Sequence, residues 1–411
     1  MEERLPQPTV ERLCAGLQTE PSVSLRINPR RLAPEAEPEG ADGRVPWCPE
    51  GFYLRQRPAF TADPLFHAGT YYGQEASSMF LAHALRSLFP LAEKGFALDL
   101  CAAPGGKSTL LRSLLPDDWW LVCNEPMRKR AQVLAENMAK WGHPNVLVTQ
   151  VMPADIGRVV SQTLLFDLML TDVPCSGEGM FRKEEEAVRQ WSPAFVAECA
   201  ALQRRILADA WPALRPGGLL FYSTCTFNPE EDEQNVEWIC DTLGADIITV
   251  PVVSEWKIDG DLREGGQLPV FHFLPGTVRG EGFFLAVLRK HGAPEVVPVS
   301  RKEKKKGKKG AVVLSPLESL RQQLETLPTD LLDDASAPRV EVSLTDALRY
   351  LQRETITLPA DAPRGIVTVC FRGQRLGLAK NIGTRANNLY PQAWRVRSSY
   401  VEAHTLFPDI A

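Results

Sequence analysis

The sequence ALDLCAAPGGKS, residues 97–108, decides the fold. An apolar strand carries the acidic residue Asp99 near its end, a glycine-containing turn follows, and the helical segment STLLRSLL comes next. Glycines let the backbone approach a ligand closely, and the first N–H groups of a helix are free to bind one. The turn differs from the GxGxxG of dinucleotide sites and from the GxxxxGKS/T phosphate loop. By spacing alone it indicates a ligand-binding turn, with a tight turn that binds nothing as the alternative.

Strands and helices alternate on both sides of this turn. The longest helical segment covers roughly 194–215 and is interrupted near Pro212. Near-continuous apolar strands separated by helices predict an α/β fold, a doubly wound parallel sheet that is covered on both faces. Ligands of such sheets bind at the carboxyl ends of the strands. The predicted strands are FALDLCA (96–102), WLVCNEP (120–126), NVLVTQV (145–151), FDLMLTDVP (166–174) and GLLFYSTCT (218–226).

The 411 residues are too many for one typical domain. We expect a small N-terminal domain over 1–70, in which PEAEPEGADG (34–43) is a loop, and the α/β core over 71–290. Residues 291–312 predict a solvated linker or a basic arm, because RKEKKKGKKG carries seven basic residues and one acidic residue. Residues 313–411 predict a third, β-rich domain that ends in the strands GIVTVCF, QRLGLAK and AWRVRS.

The composition is that of an ordinary globular protein, with 44% hydrophobic and 24% charged residues. The formal net charge of −5 means that any nucleic acid must be bound by local clusters of Lys and Arg. The nine cysteines include no CxxC pair and no zinc-like Cys/His spacing, which argues against a metal site and against a thiol redox protein. Without a signal peptide or an apolar run long enough to span a bilayer, the sequence predicts a cytoplasmic protein with no membrane partner.

Two acidic residues follow the next strands of the core. Glu125 ends the second strand, at a distance from the glycine-containing turn where an acid can bind both hydroxyls of a ribose. Asp155 follows the third strand and could accept a hydrogen bond from an exocyclic amine, with a helix cap or a solvated loop acid as an equal alternative. The pair favours a ligand that contains a nucleoside.

The fourth and fifth strands each end in a cysteine. TDVPCSGEGMFRK (171–183) contains Cys175, and STCTFNPEEDE (223–233) contains Cys225. Because neighbouring strands of a parallel sheet end side by side, we expect both thiols and Asp172 to converge on the ligand-binding edge. A free cysteine is often only a small buried hydrophobic residue. Two thiols in adjacent polar turns favour nucleophilic catalysis instead.

Together, DLCAAPGGKS, DVPCSGEGMFRK and YSTCTFNPEEDE resemble the motifs of the Sun-type (Fmu/Sun) RNA cytosine-C5 methyltransferases. The resemblance extends over roughly 22–290 and includes SLRIN (24–28) and YYGQEASSM (71–79). It implies a Rossmann-like core that binds S-adenosylmethionine, with Glu125 on the ribose and Asp155, whose flanking residues match less closely, on the adenine side. The residues of the implied cofactor loop are Cys101, Ala102, Ala103, Pro104, Gly105, Gly106 and Lys107.

The same resemblance implies how the thiols act. Cys225 attacks carbon 6 of the cytosine, so that carbon 5 becomes nucleophilic, and Cys175 helps to release the product. Asp172, which is also implied to lie near the cofactor, contacts N3 of the base. DNA cytosine methyltransferases use the cysteine of a Pro-Cys motif, so Cys175 is the alternative nucleophile on motif shape alone.

The stretch LGLAKNIGTRANNLYPQAWRV (376–396) resembles the PUA-like domain that follows the core in bacterial RsmF-type enzymes, which modify small-subunit ribosomal RNA. Residues 364–411 hold seven basic and two acidic residues, and interspersed aromatic residues suit RNA binding. Arg182 and Lys183 of the core are either further RNA contacts or the start of a solvated helix. The aromatic residues of the C-terminal region are Phe371, Tyr390, Trp394 and Tyr400.

The sequence thus predicts an RNA cytosine-C5 methyltransferase that acts as a monomer on 16S rRNA in the small ribosomal subunit. A tRNA methyltransferase of the same family is one alternative. A non-catalytic ribosome-assembly factor that only binds RNA is the other.

Overall fold

The computed structural model describes residues 5–293, 316–332, 334–397 and 404–410. The Lys-rich run at 301–309, most of the predicted linker and Tyr400 lie outside the described residues. No helix within these ranges is both long enough and apolar enough to cross a membrane.

The helices are α1 (Gln7–Leu17), α2 (Pro64–His67), α3 (Phe80–Arg86), α4 (Gly106–Leu114), α5 (Arg128–Trp141), α6 (Pro153–Thr163), α7 (Glu185–Gln190), α8 (Pro193–Ala210), α9 (Glu233–Trp238), α10 (Pro316–Gln323) and α11 (Leu344–Leu351). The strands are β1 (Val23–Ile27), β2 (Ala41–Val45), β3 (Cys48–Leu54), β4 (Tyr71–Gly73), β5 (Phe96–Asp99), β6 (Trp120–Asn124), β7 (Val146–Thr149), β8 (Phe166–Asp172), β9 (Leu214–Thr224), β10 (Ala245–Ile247), β11 (Phe271–Phe273), β12 (Phe283–Lys290), β13 (Thr326–Leu327), β14 (Arg339–Glu341), β15 (Gly365–Phe371), β16 (Gln374–Asn381) and β17 (Ala386–Asn388).

The central sheet contains nine of these strands, in the order β10–β12–β9–β8–β5–β6–β7–β13, with β11 paired to β12. The strands β5 to β9 run parallel and are connected by helices, which confirms the predicted α/β, Rossmann-like core. The expectation of an all-parallel sheet is wrong at both edges, because β10 to β13 are antiparallel to their neighbours. The connection 274–282 between β11 and β12, for example, is too short for the crossover that a parallel pair requires.

The order of the parallel strands reverses beside β5. The chain adds β6 and β7 on one side of β5 and then returns to add β8 and β9 on the other side. Such a reversal opens a crevice at the carboxyl ends of the two strands that flank it, and ligands of doubly wound sheets bind there. The turn after β5 and Asp172 at the end of β8 both lie at this crevice.

Two smaller sheets lie beside the core and share one hydrophobic cluster. The N-terminal sheet has the order β2–β3–β1–β4, and the C-terminal sheet has the order β14–β15–β16–β17. In the cluster between them, the rings of Tyr71 and Phe407 have centroids 5.6 Å apart. The N–H of Leu406 also donates to the buried carboxylate of Asp63 at 2.9 Å. The N-terminal and C-terminal domains therefore stabilise each other as one packed unit.

Two local predictions are wrong. The strand β2 begins at Ala41, inside the segment 34–43 predicted as a loop. AWRVRS (393–398) is not a strand over its described residues, because Gln392–Trp394 form a 3-10 turn. Pro391 lacks the N–H group that a central strand needs, and its carbonyl accepts a hydrogen bond from the N–H of Trp394 at 3.1 Å.

Residues 316–327, predicted as part of the third domain, pack with the core instead. Helix α10 lies against α6, and Leu320 of this helix and Leu324, which follows it, are buried among the apolar side chains on one face of the central sheet. The strand β13 then pairs with the outer edge of β7, with Thr326 opposite Thr149. The described chain therefore returns to the core before it enters the C-terminal sheet.

Candidate active site

The turn after β5 forms one wall of a cavity of about 200 Å³. Gly105 has a φ of +112°, a left-handed conformation that favours glycine, and α4 begins at the next residue. Another part of the wall is the segment 72–75, which begins in β4 of the N-terminal sheet. Tyr72 of this segment lies so close that a Cβ on Gly106 would be 3.2 Å from its ring. The residues of the implied cofactor loop that line the cavity are Cys101, Ala102, Ala103, Pro104, Gly106 and Lys107.

Asp99, the last residue of β5, is fully buried and also lines the cavity. Its Oδ2 accepts a hydrogen bond from Ser108 Oγ at 2.7 Å, whereas its Oδ1 has no partner among the described residues. Burial raises the pKa of this carboxyl to about 7. The unpaired oxygen can accept a hydrogen bond from the ammonium group of an amino-acid ligand. The first N–H groups of α4 can donate to the carboxylate of the same ligand. Asp99 is not among the predicted site residues, although its place just before the turn is a usable signal.

The two acids predicted to bind the nucleoside differ in their surroundings. The side chain of Glu125 is only 3% exposed, and its Oε2 pairs with Arg130 at 3.2 Å. Its Oε1 accepts a hydrogen bond from the N–H of Met127 at 2.9 Å. Asp155 lies in the first turn of α6, is more exposed, and pairs with Arg158 at 2.7 Å. The structure thus places Glu125 at the carboxyl end of β6. The position of Asp155 also fits the alternative in which it is only an acidic residue at the start of a helix.

The strands β8 and β9 bring the two predicted thiols together. They pair directly and in parallel, with Asp172 opposite Ser223. In the turns that follow, Cys175 Sγ and Cys225 Sγ are 3.2 Å apart, and both residues are partly exposed. The N–H of Cys225 also donates to Cys175 Sγ at 3.4 Å. The predicted convergence of the two thiols and the acid is therefore confirmed as geometry.

Asp172 forms an ion pair with Lys107 from the turn after β5. Lys107 Nζ donates to Asp172 Oδ2 at 2.8 Å, and Ser223 Oγ donates to Asp172 Oδ1 at 2.9 Å. Burial by itself would lower the pKa of Lys107, but the carboxylate of Asp172 outweighs it and the pKa is raised. Lys107 therefore stays protonated at neutral pH. Since Cys225 also interacts electrostatically with Lys107, this ion pair joins the cavity to the thiols.

The thiol pair keeps a proton on Cys175. The hydrogen bond with Cys225 and the burial of Cys175 raise the pKa of the Cys175 thiol well above its usual range. Cys175 can therefore donate its S–H to Cys225 Sγ at neutral pH. A donor in this position stabilises negative charge on its partner. The arrangement can supply a nucleophile at Cys225 and a proton donor at Cys175.

Two fully buried glutamates hold the cysteine turns together, and the sequence did not predict them as site residues. Glu178, in the first cysteine turn, accepts hydrogen bonds from Thr226 Oγ1 at 2.8 Å and from the N–H of Phe227 at 2.9 Å, both in the second turn. Glu231, after the second turn, accepts from the N–H of Ser176 at 3.0 Å. Such charge-assisted bonds fix the thiols in place. Acidic residues in polar turns are usually solvated, so only their place within the two cysteine motifs could have indicated this role.

Arg182 is a buried structural residue. Its side chain is 6% exposed, pairs with Glu281 at 2.8 Å and donates to Thr19 Oγ1 at 2.8 Å. Lys183 pairs with the same carboxylate at 3.2 Å, but its side chain is 30% exposed. Of these two basic residues, Lys183 is the one that can reach a ligand.

The aromatic residues of the C-terminal region are less available than expected. Phe371 and Tyr390 are buried in the cluster shared with the N-terminal domain, so neither can stack on a nucleic-acid base. Trp394 is partly exposed, with its ring centroid 6.1 Å from that of Tyr390. The prediction of stacking residues is therefore wrong for Phe371 and Tyr390, because their apolar surface is needed for the shared core.

Asp232, Glu233 and His272 form a buried group whose side-chain atoms could ligate a metal ion. His272 Nε2 already hydrogen-bonds to Glu233 Oε1 at 2.9 Å, and Thr224 Oγ1 donates to Asp232 Oδ1 at 2.6 Å. Burial and the neighbouring Glu233 raise the pKa of Asp232 well above its usual range. We interpret the group as a hydrogen-bonded network that supports the turn after β9, and the expected absence of a metal remains an expectation.

Three family models match successive parts of the chain. The N-terminal domain of 16S rRNA methyltransferase RsmF matches residues 1–76, 16S rRNA methyltransferase RsmB/F matches 87–289, and the methyltransferase RsmF PUA domain matches 337–396. The ribosomal RNA small subunit methyltransferase F of Cronobacter sakazakii is 31% identical, over 85% of this chain and 83% of that protein. The chain belongs to the RsmF family of ribosomal RNA methyltransferases. The RsmF proteins of Escherichia coli O127:H6, at 31% identity, and Aeromonas salmonicida, at 35%, each match 85% of this chain and 84% of their own length.

Solved structures share the fold of this RsmF-family chain. A methyltransferase homologue from Pyrococcus horikoshii has a TM-score of 0.56 at 27% identity, over 70% of this chain and 92% of that chain. NSun6 from the same organism, solved with the S-adenosylmethionine analogue SFG, has a TM-score of 0.57 at 20% identity, over 70% of this chain and 95% of that chain. The predicted Rossmann-like core with an N-terminal domain and a C-terminal PUA domain, and the prediction of an RNA methyltransferase, are confirmed.

Proposed function

We propose that this RsmF-family enzyme transfers a methyl group from S-adenosylmethionine to carbon 5 of a cytosine in 16S rRNA, as a monomer in the cytoplasm. The thiol pair carries this proposal: Cys175 Sγ and Cys225 Sγ lie 3.2 Å apart at the carboxyl ends of β8 and β9. The Lys107–Asp172 ion pair connects them to the cavity of the turn after β5. The names of the relatives, which are small-subunit ribosomal RNA methyltransferases, support the choice of RNA.

The residues around the cavity fit the proposed cofactor. When it is bound, S-adenosylmethionine supplies an electrophilic methyl group on a sulfonium. The unpaired Oδ1 of Asp99 fits its ammonium group, the N–H groups at the start of α4 fit its carboxylate, and Glu125 fits its ribose hydroxyls. Asp155 is proposed for the adenine, which requires its ion pair with Arg158 to open.

The first chemical step in the proposal forms a bond between Cys225 Sγ and carbon 6 of the cytosine. The double bond between carbons 5 and 6 shifts to carbons 4 and 5, the electron pair of the double bond between carbon 4 and N3 moves onto N3, and N3 takes up a proton. Asp172 contacts N3, and the ammonium group of Lys107 beside it is a source of that proton. Carbon 5 thereby becomes an enamine-like nucleophile that can accept a methyl group.

The second step in the proposal releases the product. When carbon 5 takes the methyl group, the electron pair of the double bond between carbons 4 and 5 forms the new bond, and the double bond between carbon 4 and N3 is restored. Carbon 5 then gives up its proton to a base, the double bond between carbons 5 and 6 forms again, the sulfur of Cys225 leaves, and N3 returns its proton to the Lys107–Asp172 pair. Cys175, which stays protonated, gives its proton to the departing sulfur across the 3.2 Å contact. In the alternative, in which Cys175 is the nucleophile, Cys225 would be the proton donor across the same contact.

The reaction and the RNA can be tested together. Purified full-length protein is incubated with S-adenosylmethionine and small ribosomal subunits that lack 5-methylcytidine, with naked 16S rRNA and unmodified tRNA in parallel. Nucleoside mass spectrometry then measures 5-methylcytidine. We expect it in the ribosomal samples. A signal only in tRNA overturns the proposed substrate, and no signal in any sample, with the cofactor bound, favours a non-catalytic RNA-binding factor.

Glu125→Ala should weaken cofactor binding by about 10- to 100-fold, because a hydrogen bond to a buried charged group contributes about 1.5–3 kcal/mol. Titration calorimetry with S-adenosylmethionine measures this loss. Asp155→Ala should have a smaller effect, since Asp155 is partly solvated and already paired. The exposed Glu93→Ala serves as the control and should bind like the wild type. Wild-type affinity in Glu125→Ala would mean that this carboxylate does not bind the ribose.

A further inference from the structure

A groove of about 320 Å³ lies between the N-terminal domain and the core, directly beside the cofactor cavity. The groove and the cavity share four consecutive wall residues, at 72–75. The first two of these belong to β4, the edge strand of the N-terminal sheet. Because both spaces open on the same segment, a chain molecule with one unit beside the cavity can continue along this segment into the groove with the next.

One side of the groove carries aromatic and basic groups from the N-terminal domain. Phe60 and Phe66 are only partly buried, and their ring centroids are 6.1 Å apart. The guanidinium of Arg57 lies 5.6 Å from the centroid of the Phe60 ring. Arg57 is exposed, and in the part of the chain that the structure describes no carboxylate forms an ion pair with it. This side therefore offers a partly exposed ring next to an uncompensated positive charge.

The other side of the groove carries Lys183, which follows the first cysteine turn. Glu281 pairs with both Arg182 and Lys183, so one carboxylate faces two cations and one positive charge is left over. The remaining acid of the groove, Glu75, directs its oxygens at backbone N–H groups of residues 77, 78 and 281, at 2.8 to 2.9 Å. These backbone amides therefore stabilise the negative charge of Glu75. Arg57 and Lys183 then make the open face of the groove positive.

We propose that this groove binds the single-stranded RNA next to the target cytosine. The neighbouring base stacks on Phe60, while Arg57 and Lys183 contact phosphates on either side. This inference rests on the proposed function, since a cytosine that reaches Cys225 must leave its own stack and draw the adjoining strand along the wall at 72–75. A positive groove with partly exposed rings, next to the cofactor cavity, matches what single strands bind in proteins.

The test compares full-length variants on the RNA that the wild type methylates. Arg57→Ala and Phe60→Leu, which keeps an apolar side chain in the aromatic cluster, should each raise the KM for RNA at least about fivefold with little change in kcat, because a stacked base or a phosphate contact is lost. Arg57→Ala should also reduce the slope of log KM against log salt concentration by about one. Affinity for S-adenosylmethionine should not change.

Arg55→Ala is the matched control, because it removes the same exposed charge two residues away and outside the groove. If Arg55→Ala raises the KM for RNA as much as Arg57→Ala does, the RNA responds to general surface charge and not to the groove, and the inference is overturned. A loss of S-adenosylmethionine binding in Phe60→Leu would assign the groove to the cofactor and overturn the inference. Wild-type KM values in both variants, with active wild-type enzyme, also overturn it, whereas an inactive wild type is a failure of the proposed function instead.

The groove can be tested without catalysis as well. A single-stranded RNA oligonucleotide that contains 4-thiouridine is crosslinked by ultraviolet light to the intact protein, and the crosslinked peptides are identified by mass spectrometry. We expect crosslinks within residues 57–72 and at Lys183. Crosslinks that occur only in the C-terminal sheet would contradict the groove, whether or not 5-methylcytidine is formed.

Discussion

Cys225→Ala should abolish methyl transfer while leaving S-adenosylmethionine binding unchanged. The cofactor cavity is lined by the turn after β5 and by Asp172, whereas Cys225 lies in the turn beyond β9. Without the sulfur, carbon 6 has no nucleophile and carbon 5 of the cytosine stays a poor one. Loss of a covalent nucleophile lowers kcat by several orders of magnitude, and we expect at least about 10⁴-fold here.

The measurement is a single-turnover assay with radiolabelled methyl groups on the RNA that the wild type modifies, together with cofactor titration. Cys199→Ala is the matched control, since it removes a thiol of the same size from a buried position in α8. Cys199→Ala should stay active. A Cys225→Ala protein that still forms 5-methylcytidine would show that the nucleophile lies elsewhere, with Cys175 as the first candidate.

The parallel core and the meeting of the two thiols were predictable because both depend on local sequence. Apolar strands followed by helices specify a doubly wound sheet, and residues just after neighbouring strands must lie together at its edge. Cys175 and Cys225 satisfy that rule although they are 50 positions apart. The sequence does not indicate which edge strands are antiparallel, because the apolar pattern of a strand such as β12 is the same in both chain directions.

The surroundings of the thiols could not be predicted, because they depend on contacts between distant segments. Glu178 and Glu231 look like solvated acids in sequence and are buried acceptors in the structure. Phe371 and Tyr390 look like RNA-stacking residues, but the cluster shared by the N-terminal and C-terminal domains buries them. Residue type thus predicted the chemistry of the motifs, and tertiary packing decided which side chains remain available.

Cys175→Ala should complete methylation but trap the enzyme on its product. The sulfur of Cys225 can still bond to carbon 6, because Lys107 and Asp172 are untouched. The proton donor that lies 3.2 Å from the departing sulfur is gone. General acid catalysis contributes about 10²- to 10⁴-fold, so multiple-turnover kcat should fall by that factor while the first turnover persists. A covalent protein–RNA adduct should then accumulate as a slow band on a denaturing gel.

Cys175→Ser separates this role from a purely structural one. A serine hydroxyl can replace the hydrogen bond to Cys225, but it is a far weaker acid than a thiol, whose ordinary pKa is about 8.5. If Cys175 acts as the acid for release, the serine variant should keep the fold and still accumulate the adduct. If Cys175 only positions the turn, serine should restore turnover and the adduct should disappear. An adduct that forms in Cys225→Ala and never in Cys175→Ala would instead mean that the two cysteines exchange roles, with Cys175 attacking the base despite the raised pKa that keeps it protonated.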